Sequence, residues 1–420
     1  MAGADLSPIL ERIAPGDQLV VAGSTGEPTA LLDAWRAERD RTRGLSILSC
    51  AVAGLNRFDV GEWHDSCDVR GLFMPPECAD AYRAGRYHWL PISYGGFSRR
   101  LSDRLEPVDI VVVQLSPSNA EGLHSLGFSA EFMPQLLKQA RTVLGIVNHA
   151  MPFLRNAPTI ERDRLQAVCE VDTPLVRYNS GSVDEGAERI ASLIADHVAD
   201  GAALQAGIGK VPAALAQALR HKKRLRMQSG MLGDGFQMLA EAGALDPDWL
   251  HQGCAMVGSR DLYRWAAGRE DFTIDGCDVT HDPAHLATVE GLVAVNSALE
   301  VDLHGQCNLE YVGGQPVSGC GGAPDFARAA RLSASGLSIV ALPATAARGK
   351  ASRICARLSA PGVASLPRTD VDLVVTEQGV ADLRGIDVEE RARRLIAVAA
   401  PEFREDLVHA WAGAAQSRHH

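Results

Sequence analysis

The first segment whose residue types suggest ligand chemistry is the short loop Gly207-Ile208-Gly209-Lys210-Val211. It follows an apolar stretch typical of a strand, and Pro212 stands where the first turn of a helix is expected. Glycine lets a ligand approach the backbone closely, and the amino end of a helix favours negative charge. The segment has neither the full dinucleotide fingerprint nor the ending of a Walker motif. It indicates either an anion-binding loop or a tight turn.

A second glycine-rich segment, Gly313–Gly322, ends in the consecutive pair Gly321-Gly322. Such a pair can present unobstructed backbone N–H groups to a developing oxyanion, usually the largest contribution to catalysis of acyl transfer. The alternative is that these glycines only form turns. Cys320, next to the pair, is either a thiol nucleophile or a small buried hydrophobe. The sequence contains no HExxH motif and no GxSxG elbow.

The elements that must position these segments recur along the chain. Gly16–Trp35 aligns without gaps with Asp200–Leu219, and each copy leads from an apolar strand through a glycine loop into a helix. Two further pairs of segments are similar at a comparable offset: Val108–Leu115 with Gly291–Val295, and Thr142–Val147 with Ser338–Leu342. A period this long indicates two duplicated domains rather than a solenoid.

Apolar runs such as Ile110–Leu115 and Val371–Thr376 alternate with helical patterns, which favours an α/β fold with mostly parallel sheets. The amphipathic stretch Ser182–Ala199 predicts a helix between two similar domains. We therefore expect an N-terminal domain over residues 1–180 and a C-terminal domain over residues 181–420. Because no low-complexity linker separates them, we expect the active site in the cleft between the domains.

The composition argues against several classes of protein. The chain has 420 residues, 46% hydrophobic and 22% charged, and a net charge of −11, which argues against nucleic-acid and membrane binding. Nine cysteines without a CxxC pair argue against a disulfide framework and a structural zinc site, so no metal is expected. Met1–Asp17 lacks the pattern of a signal peptide, and the apolar runs are strand-sized. The expected location is the cytoplasm.

The second half of the chain contains an ordered series of motifs. They are Asn296-Ser297, Val301-Asp302-Leu303-His304-Gly305-Gln306, Ser318-Gly319-Cys320-Gly321-Gly322 with Asp325-Phe326, Ser352-Arg353-Ile354, Val375–Ala381 with Leu383-Arg384-Gly385, and Pro401–Arg404. Looser matches in the first half are Ser116-Pro117, Glu121-Gly122, Asn148 and Pro152. In this order the motifs resemble the acetyl-CoA hydrolase and CoA-transferase family, including 4-hydroxybutyrate CoA-transferases.

The resemblance implies two CoA-transferase-type domains and coenzyme A, as an acyl-CoA, as the substrate. The expected CoA contacts are Gly207–Val211, Gly305, Lys350 and Arg353. Gly321-Gly322 is expected to form the oxyanion hole, and Asn296 to bond the thioester carbonyl or the pantetheine arm. Alternatively, Asn296 bonds loop backbone, and the two cations belong to a solvated charge cluster.

The family's nucleophile, a glutamate in a His-Thr-Glu-Met run, is missing. The matching residues are Gln228-Ser229-Gly230-Met231, with glycine at the glutamate position. Asp234-Gly235 fits the aspartate-glycine pair that follows the glutamate in the family, so a shift of register restores no carboxylate. Gln228, Ser229, Met231 and Cys320 are expected to contact the substrate. Glycine cannot act as a nucleophile, because covalent catalysis requires a side chain.

Three interpretations follow, of which we favour the first. The enzyme acts on an acyl thioester through an oxyanion hole alone, by hydrolysis, decarboxylation or direct acyl transfer. Alternatively, it is a conventional acyl-CoA:carboxylate CoA-transferase whose nucleophile is displaced to one of four carboxylates: Glu290, Glu300, Glu310 or Glu377. As a third possibility, it is a non-catalytic CoA-binding or assembly subunit. The expected partners are acyl-CoA, a small carboxylate or other acyl acceptor, and further copies of the chain in a homo-oligomer.

Overall fold

The computed structural model describes residues 5–56 and 58–416, with side chains described up to residue 413. The chain divides into two compact units. The first contains Met1–Asn179, Gly230–Gly233 and Leu250–Asp282, and the second contains Ser180–Ser229, Asp234–Trp249 and Pro283–His420. The chain first passes from the first unit to the second between Asn179 and Ser180, near the boundary expected at residue 180. A single cut there does not describe the units, however, because two later segments belong to the first one.

In the described part of the first unit, seven parallel strands form one sheet in the order β4-β3-β2-β1-β5-β7-β9. Their bounds are β1 Gln18–Val21, β2 Ser46–Ser49, β3 Asp68–Gly71, β4 Tyr87–Trp89, β5 Ile110–Leu115, β7 Thr142–Asn148 and β9 Ala167–Val171. The helices of this unit are α1 Ser7–Leu10, α2 Thr29–Ala37, α3 Ala79–Arg83, α4 Tyr94–Ser102, α5 Met133–Gln139, α9 Arg260–Ala266 and α10 Cys277–Thr280.

The two later segments of the first unit form short strand pairs between and within themselves. β12 Met231–Leu232 pairs with β14 Ala255–Met256, and β13 His251–Gly253 pairs with β15 Phe272–Ile274. A separate antiparallel pair joins β6 Leu123–Ser125 to β8 Thr159–Glu161. Backbone hydrogen bonds run from the N–H groups of Ala130 and Glu131 to the carbonyl of Cys254, at 2.9 and 3.3 Å. Buried backbone groups must find partners, and these segments find theirs in the first unit.

The described part of the second unit has a six-stranded sheet in the order β11-β10-β16-β21-β25-β26, parallel except for the last pair. These strands are β10 Ala203–Ala206, β11 Arg226–Met227, β16 Leu292–Ser297, β21 Leu337–Ala341, β25 Leu373–Thr376 and β26 Gly379–Asp382. The smaller strands are β17 Glu300–Asp302, β18 Cys307–Asn308, β19 Tyr311–Val312, β20 Gln315–Pro316, β22 Thr345–Ala346, β23 Ala351–Ser352 and β24 Ile354–Cys355. Its helices are α6 Glu185–Ala195, α7 Lys210–Ala218, α8 Asp234–Glu241, α11 Pro283–Ala287, α12 Ala323–Leu332, α13 Val388–Ala397 and α14 Arg404–Gln416.

The two sheets share one strand order. In the first unit the sequence β2-β1-β5-β7-β9 corresponds to β11-β10-β16-β21-β25 in the second. Each segment pair of the sequence repeat falls on equivalent strands: β1 with β10, β5 with β16 and β7 with β21. The prediction of two similar α/β domains with mostly parallel sheets is therefore confirmed.

A buried carboxylate holds the second sheet to α12. Asp372, 1% exposed, accepts a hydrogen bond from the backbone N–H of Ser338 at 2.9 Å and pairs with Arg331 of α12. Without Asp372, the buried N–H of Ser338 has no acceptor and Arg331 has no carboxylate partner.

We expect Asp372→Ala to lower the free energy of unfolding by about 1–3 kcal/mol, because the buried N–H of Ser338 loses its acceptor, measured as a shift of the urea midpoint. The matched control is Asp261→Ala, which breaks the exposed pair Arg264–Asp261 and should cost less than about 1 kcal/mol. Equal losses in the two variants would show that Asp372 is not a structural anchor.

Candidate active site

Three predicted site segments meet at the carboxyl edge of the second unit's sheet. Strands β11, β10 and β16 are parallel neighbours, so the residues that follow them gather at one edge. Gln228, after β11, donates its N–H to the carbonyl of Leu204 at 3.0 Å. The hydroxyl of Ser229 donates to the carbonyl of Ala206 at 2.9 Å. Both residues are almost fully buried, so they fix the edge on which the glycine loop stands.

The glycine loop after β10 leaves room for a ligand. A Cβ atom at Gly207 would have no atom of the described chain within 4 Å. Gly209 precedes α7 with φ 129°, a conformation that favours glycine, and no described side chain caps the helix there. The N–H groups of the first turn therefore face a space suited to an anion. Lys210 forms an ion pair with Asp184 at 2.8 Å, so its charge already has a partner.

Two buried amide side chains lie beside this loop. Ala206 is in register with Val295, which places Asn296 next to Gly207 at the edge. Gln205 is in register with Ala294, so Gln205 and Asn296 point to the same face of the sheet. Within the described residues, the Nδ2 atom of Asn296 and the Oε1 atom of Gln205 have no hydrogen-bond partner. Gln205 was not among the predicted residues, although a polar residue in an apolar strand is a recognisable signal.

The glycine pair lies at the amino end of α12, on that same face. Ala294 packs in one cluster with Phe326 and Ala329 of α12. The carboxyl end of α12 lies at the start of β16, because the hydroxyl of Ser333 accepts from the N–H of Leu292 at 3.3 Å. The amino end therefore points towards the carboxyl edge of the sheet. Gly322 is the N-cap residue, and no side chain of the described residues caps it.

The nearby thiol of Cys320 is a poor nucleophile. Burial raises the pKa of Cys320 to about 12, and the neighbouring Glu310 and Asp325 add to this effect. The thiolate is the nucleophilic form, so the protonated thiol at neutral pH favours the interpretation of Cys320 as a small buried hydrophobe.

The two predicted cations have different surroundings. Arg353 donates to the carbonyl of Leu299 at 2.8 Å and of Thr345 at 3.3 Å, and thus links the loops after β16 and β21. Burial lowers the pKa of Arg353. Lys350 is exposed in the turn between β22 and β23. Arg353 thus has a positioning role, and Lys350 is the cation that faces solvent.

Gly305 lies in a closed turn against α13. The carboxylate of Asp302 accepts from the N–H groups of His304 and Gln306 at 3.0 and 2.9 Å. A Cβ atom at Gly305 would lie 2.7 Å from Nη1 of Arg391. These hydrogen bonds and the close approach of Arg391 give the residues of the VDLHGQ motif a structural role in this turn.

The carboxylates proposed as displaced nucleophiles have structural contacts or are exposed. Glu300 accepts from Asn308 at 2.9 Å and from the N–H of Ser359 at 2.8 Å. Glu377 accepts from the N–H of Ala344 at 2.9 Å, and Glu310 accepts from the hydroxyl of Ser365 at 2.6 Å. Glu290 is exposed. The geometry favours none of the four as a nucleophile.

In the first unit, Gly230 is held through its backbone. Its carbonyl accepts the N–H groups of Cys254 and Ala255, at 2.8 and 3.2 Å. Met231 then begins β12, in register with Ala255. Gly230 is not among the described glycines with positive φ, so its backbone is compatible with a residue that has a side chain.

The loop after β1, equivalent to the loop after β10, has a polar cluster that sequence reasoning missed. Ser24 donates to Glu131 at 2.6 Å, and Asn56 accepts the N–H of Ser24 at 2.9 Å. Burial raises the pKa of Glu131 to about 7. Ser24 and Glu131 have φ values of 49° and 40°, which are strained for residues other than glycine. The sequence feature that could have revealed this cluster is Glu131, a carboxylate between the apolar residues Ala130 and Phe132.

Comparison with known proteins identifies the family. Residues 258–411 match the model of the acetyl-CoA hydrolase/transferase C-terminal domain. The 4-hydroxybutyrate coenzyme A transferase of Clostridium kluyveri is 31% identical over 406 residues, covering 95% of each chain. The chain belongs to the acetyl-CoA hydrolase and CoA-transferase family.

Other members of the family are similar over most of their length. The succinyl-CoA:cyclohexane-1-carboxylate CoA transferase of Geobacter metallireducens is 30% identical, covering 94% of this chain and 91% of its own. RipA from Yersinia pestis has a TM-score of 0.87 at 28% identity, covering 98% of this chain and 96% of its own. The predicted family is therefore confirmed. In the described residues no helix is long and apolar enough to cross a membrane.

We expect Cys320→Ala to change acyl-CoA turnover by no more than about twofold, because a protonated thiol contributes no nucleophile. Release of CoA from a panel of acyl-CoAs, followed with a thiol reagent, measures the effect. A loss of about 100-fold with unchanged CoA binding would instead identify Cys320 as a nucleophile.

Proposed function

We propose that this protein binds an acyl-CoA at the carboxyl edge of its second sheet and acts on the thioester without a glutamate nucleophile. The observation that carries the proposal is the open Gly207 loop beside the unpartnered amide of Asn296. Two uncapped helix ends, those of α7 and α12, supply N–H groups for phosphate or oxyanion oxygens.

Each part of the proposed site suits a different part of an acyl-CoA molecule. The amino end of α7 suits an anionic part of CoA, since a helix N-terminus stabilises negative charge. The N–H groups at Gly321-Gly322 suit the oxyanion that forms when a thioester is attacked. The amide of Asn296, on the same face as α12, suits the thioester carbonyl or the pantetheine arm. Because glycine stands at position 230, the attacking group comes from water or from an acyl acceptor.

We expect Gly207→Val to weaken CoA binding by about tenfold or more, because its side chain enters the ligand space. The matched control is Gly268→Val, since Gly268 has equally open surroundings and no positive φ in the first unit. Calorimetry with CoA and several acyl-CoAs measures both variants. If wild-type protein binds none of them at millimolar concentration, the acyl-CoA proposal fails, including its non-catalytic version.

Position 230 gives the sharpest test of the mechanism. We expect slow CoA exchange between acyl-CoA and carboxylate in the wild type, and measurable exchange in Gly230→Glu. The gain should be partial, because covalent catalysis depends on accurate placement of the carboxylate. Gly230→Gln is the control, since it adds the same volume without a nucleophile.

The three interpretations give different results in this experiment. Borohydride treatment after incubation with acyl-CoA, followed by mass spectrometry, should find no modified glutamate in the wild type. A glutamyl-CoA adduct elsewhere would favour the displaced nucleophile. CoA binding without turnover of any acyl-CoA would favour the non-catalytic subunit. Wild-type exchange as fast as that of Gly230→Glu would overturn our assignment of position 230.

A further inference from the structure

A group of metal-ligating side chains lies in the core of the first unit. Cys254, Cys277 and His281 each place one ligand atom so that all three atoms lie within 4.8 Å of one another. All three residues are buried. They come from two separate places, the junction of β13 with β14 and the helix α10 with its C-cap.

The local fold explains why these residues converge. Cys277 and His281 are four residues apart across α10, which puts their side chains on one face. The carbonyl of Glu131 accepts the N–H of Cys277 at 2.7 Å, and the N–H of Glu131 donates to the carbonyl of Cys254 at 3.3 Å. Glu131 thus joins the two segments through its backbone.

A hydrogen bond to Thr280 orients the imidazole of His281. The hydroxyl of Thr280 donates to the carbonyl of Gly276 at 3.1 Å, so it accepts from Nδ1 of His281 at 2.9 Å. A hydrogen bond of this kind fixes the orientation of the ring, as it does in histidines that bind metals.

We propose that Cys254, Cys277 and His281 bind one Zn²⁺ ion. Two thiolates and an imidazole are the donors that zinc prefers, and zinc is usually four-coordinate in structural sites. On binding, the two thiols release their protons to solvent, and the ion bonds both sulfurs.

This zinc ion has a structural consequence for position 230. The N–H of Cys254 donates to the carbonyl of Gly230 at 2.8 Å, so a metal on Cys254 fixes the strand junction that holds this segment. Because its three ligands are buried, the ion would stabilise the fold. The proposal is independent of the acyl-CoA function.

The test uses full-length protein produced with zinc in the medium and purified without metal-affinity resin. We expect about one zinc per chain by elemental analysis, released when a mercurial reagent blocks the thiols. Cobalt(II) added to the metal-free protein should give a sulfur-to-cobalt charge-transfer band. Cys277→Ser and His281→Gln should each weaken metal binding by about 100-fold. Cys67→Ser, which alters another buried cysteine of the same unit, should retain the metal and the cobalt spectrum.

The wild-type measurements keep the test valid if the ligand variants fail to fold. A wild-type chain with no zinc and no cobalt–sulfur band would overturn the proposal. So would a Cys254–Cys277 disulfide found by alkylation and mass spectrometry of the freshly purified chain. Loss of metal in Cys67→Ser as well would also overturn it, because the ion would not depend on the three named ligands.

Discussion

The parallel register of β10 and β16 is the constraint on which the candidate site depends. Pairing Ala206 with Val295 places Gly207 and Asn296 side by side and turns Gln205 and Asn296 to the face that carries α12. A slip of one residue in either strand would turn that strand's amide to the opposite face and separate it from the other. The register is fixed by the buried apolar residues of both strands, so the core of this unit determines where the polar chemistry stands.

The equivalent loops of the two units each contain an unfavourable feature. In the second unit, Gln205 and Asn296 leave buried polar atoms unpaired within the described residues, at about 1–3 kcal/mol each. In the first unit, Ser24 after β1 and its hydrogen-bond partner Glu131 before α5 adopt strained positive φ values. Unfavourable groups of this kind persist at sites where function requires them. Ser24 follows β1, and Gln205 lies near the end of the equivalent strand β10. The presence of such a residue at this position in both units favours a functional origin over a local packing defect.

The sequence predicts several central strands well because these strands are continuous apolar runs. Ile110–Leu115 matches β5 at both ends, and the repeat predicts the equivalent strand order. It does not predict that Leu250–Asp282 belongs to the first unit, since the short pairs β12–β14 and β13–β15 have no periodicity to recognise.

Side-chain partners were harder to predict than elements. The expectation of no zinc rested on the absence of a CxxC pair, whereas Cys254 and Cys277 approach each other only through the tertiary fold. The four-residue spacing of Cys277 and His281 was visible, but its meaning depended on the short helix α10. Similarly, Arg353 and Gly305 matched family motifs, while the contacts that explain them are backbone carbonyls and the guanidinium of Arg391.

We propose that the chain retains the family fold while its chemistry at position 230 differs. Two N–H groups hold the carbonyl of Gly230, and β12 continues from Met231, so the segment is fixed entirely through its backbone. A side chain at this position is therefore not needed to maintain the path of the chain. If the family's glutamate is replaced here, as we propose, the loss removes a nucleophile and leaves the surrounding strands unchanged. Membership of the family thus determines the architecture, and the reaction must be established from this one position.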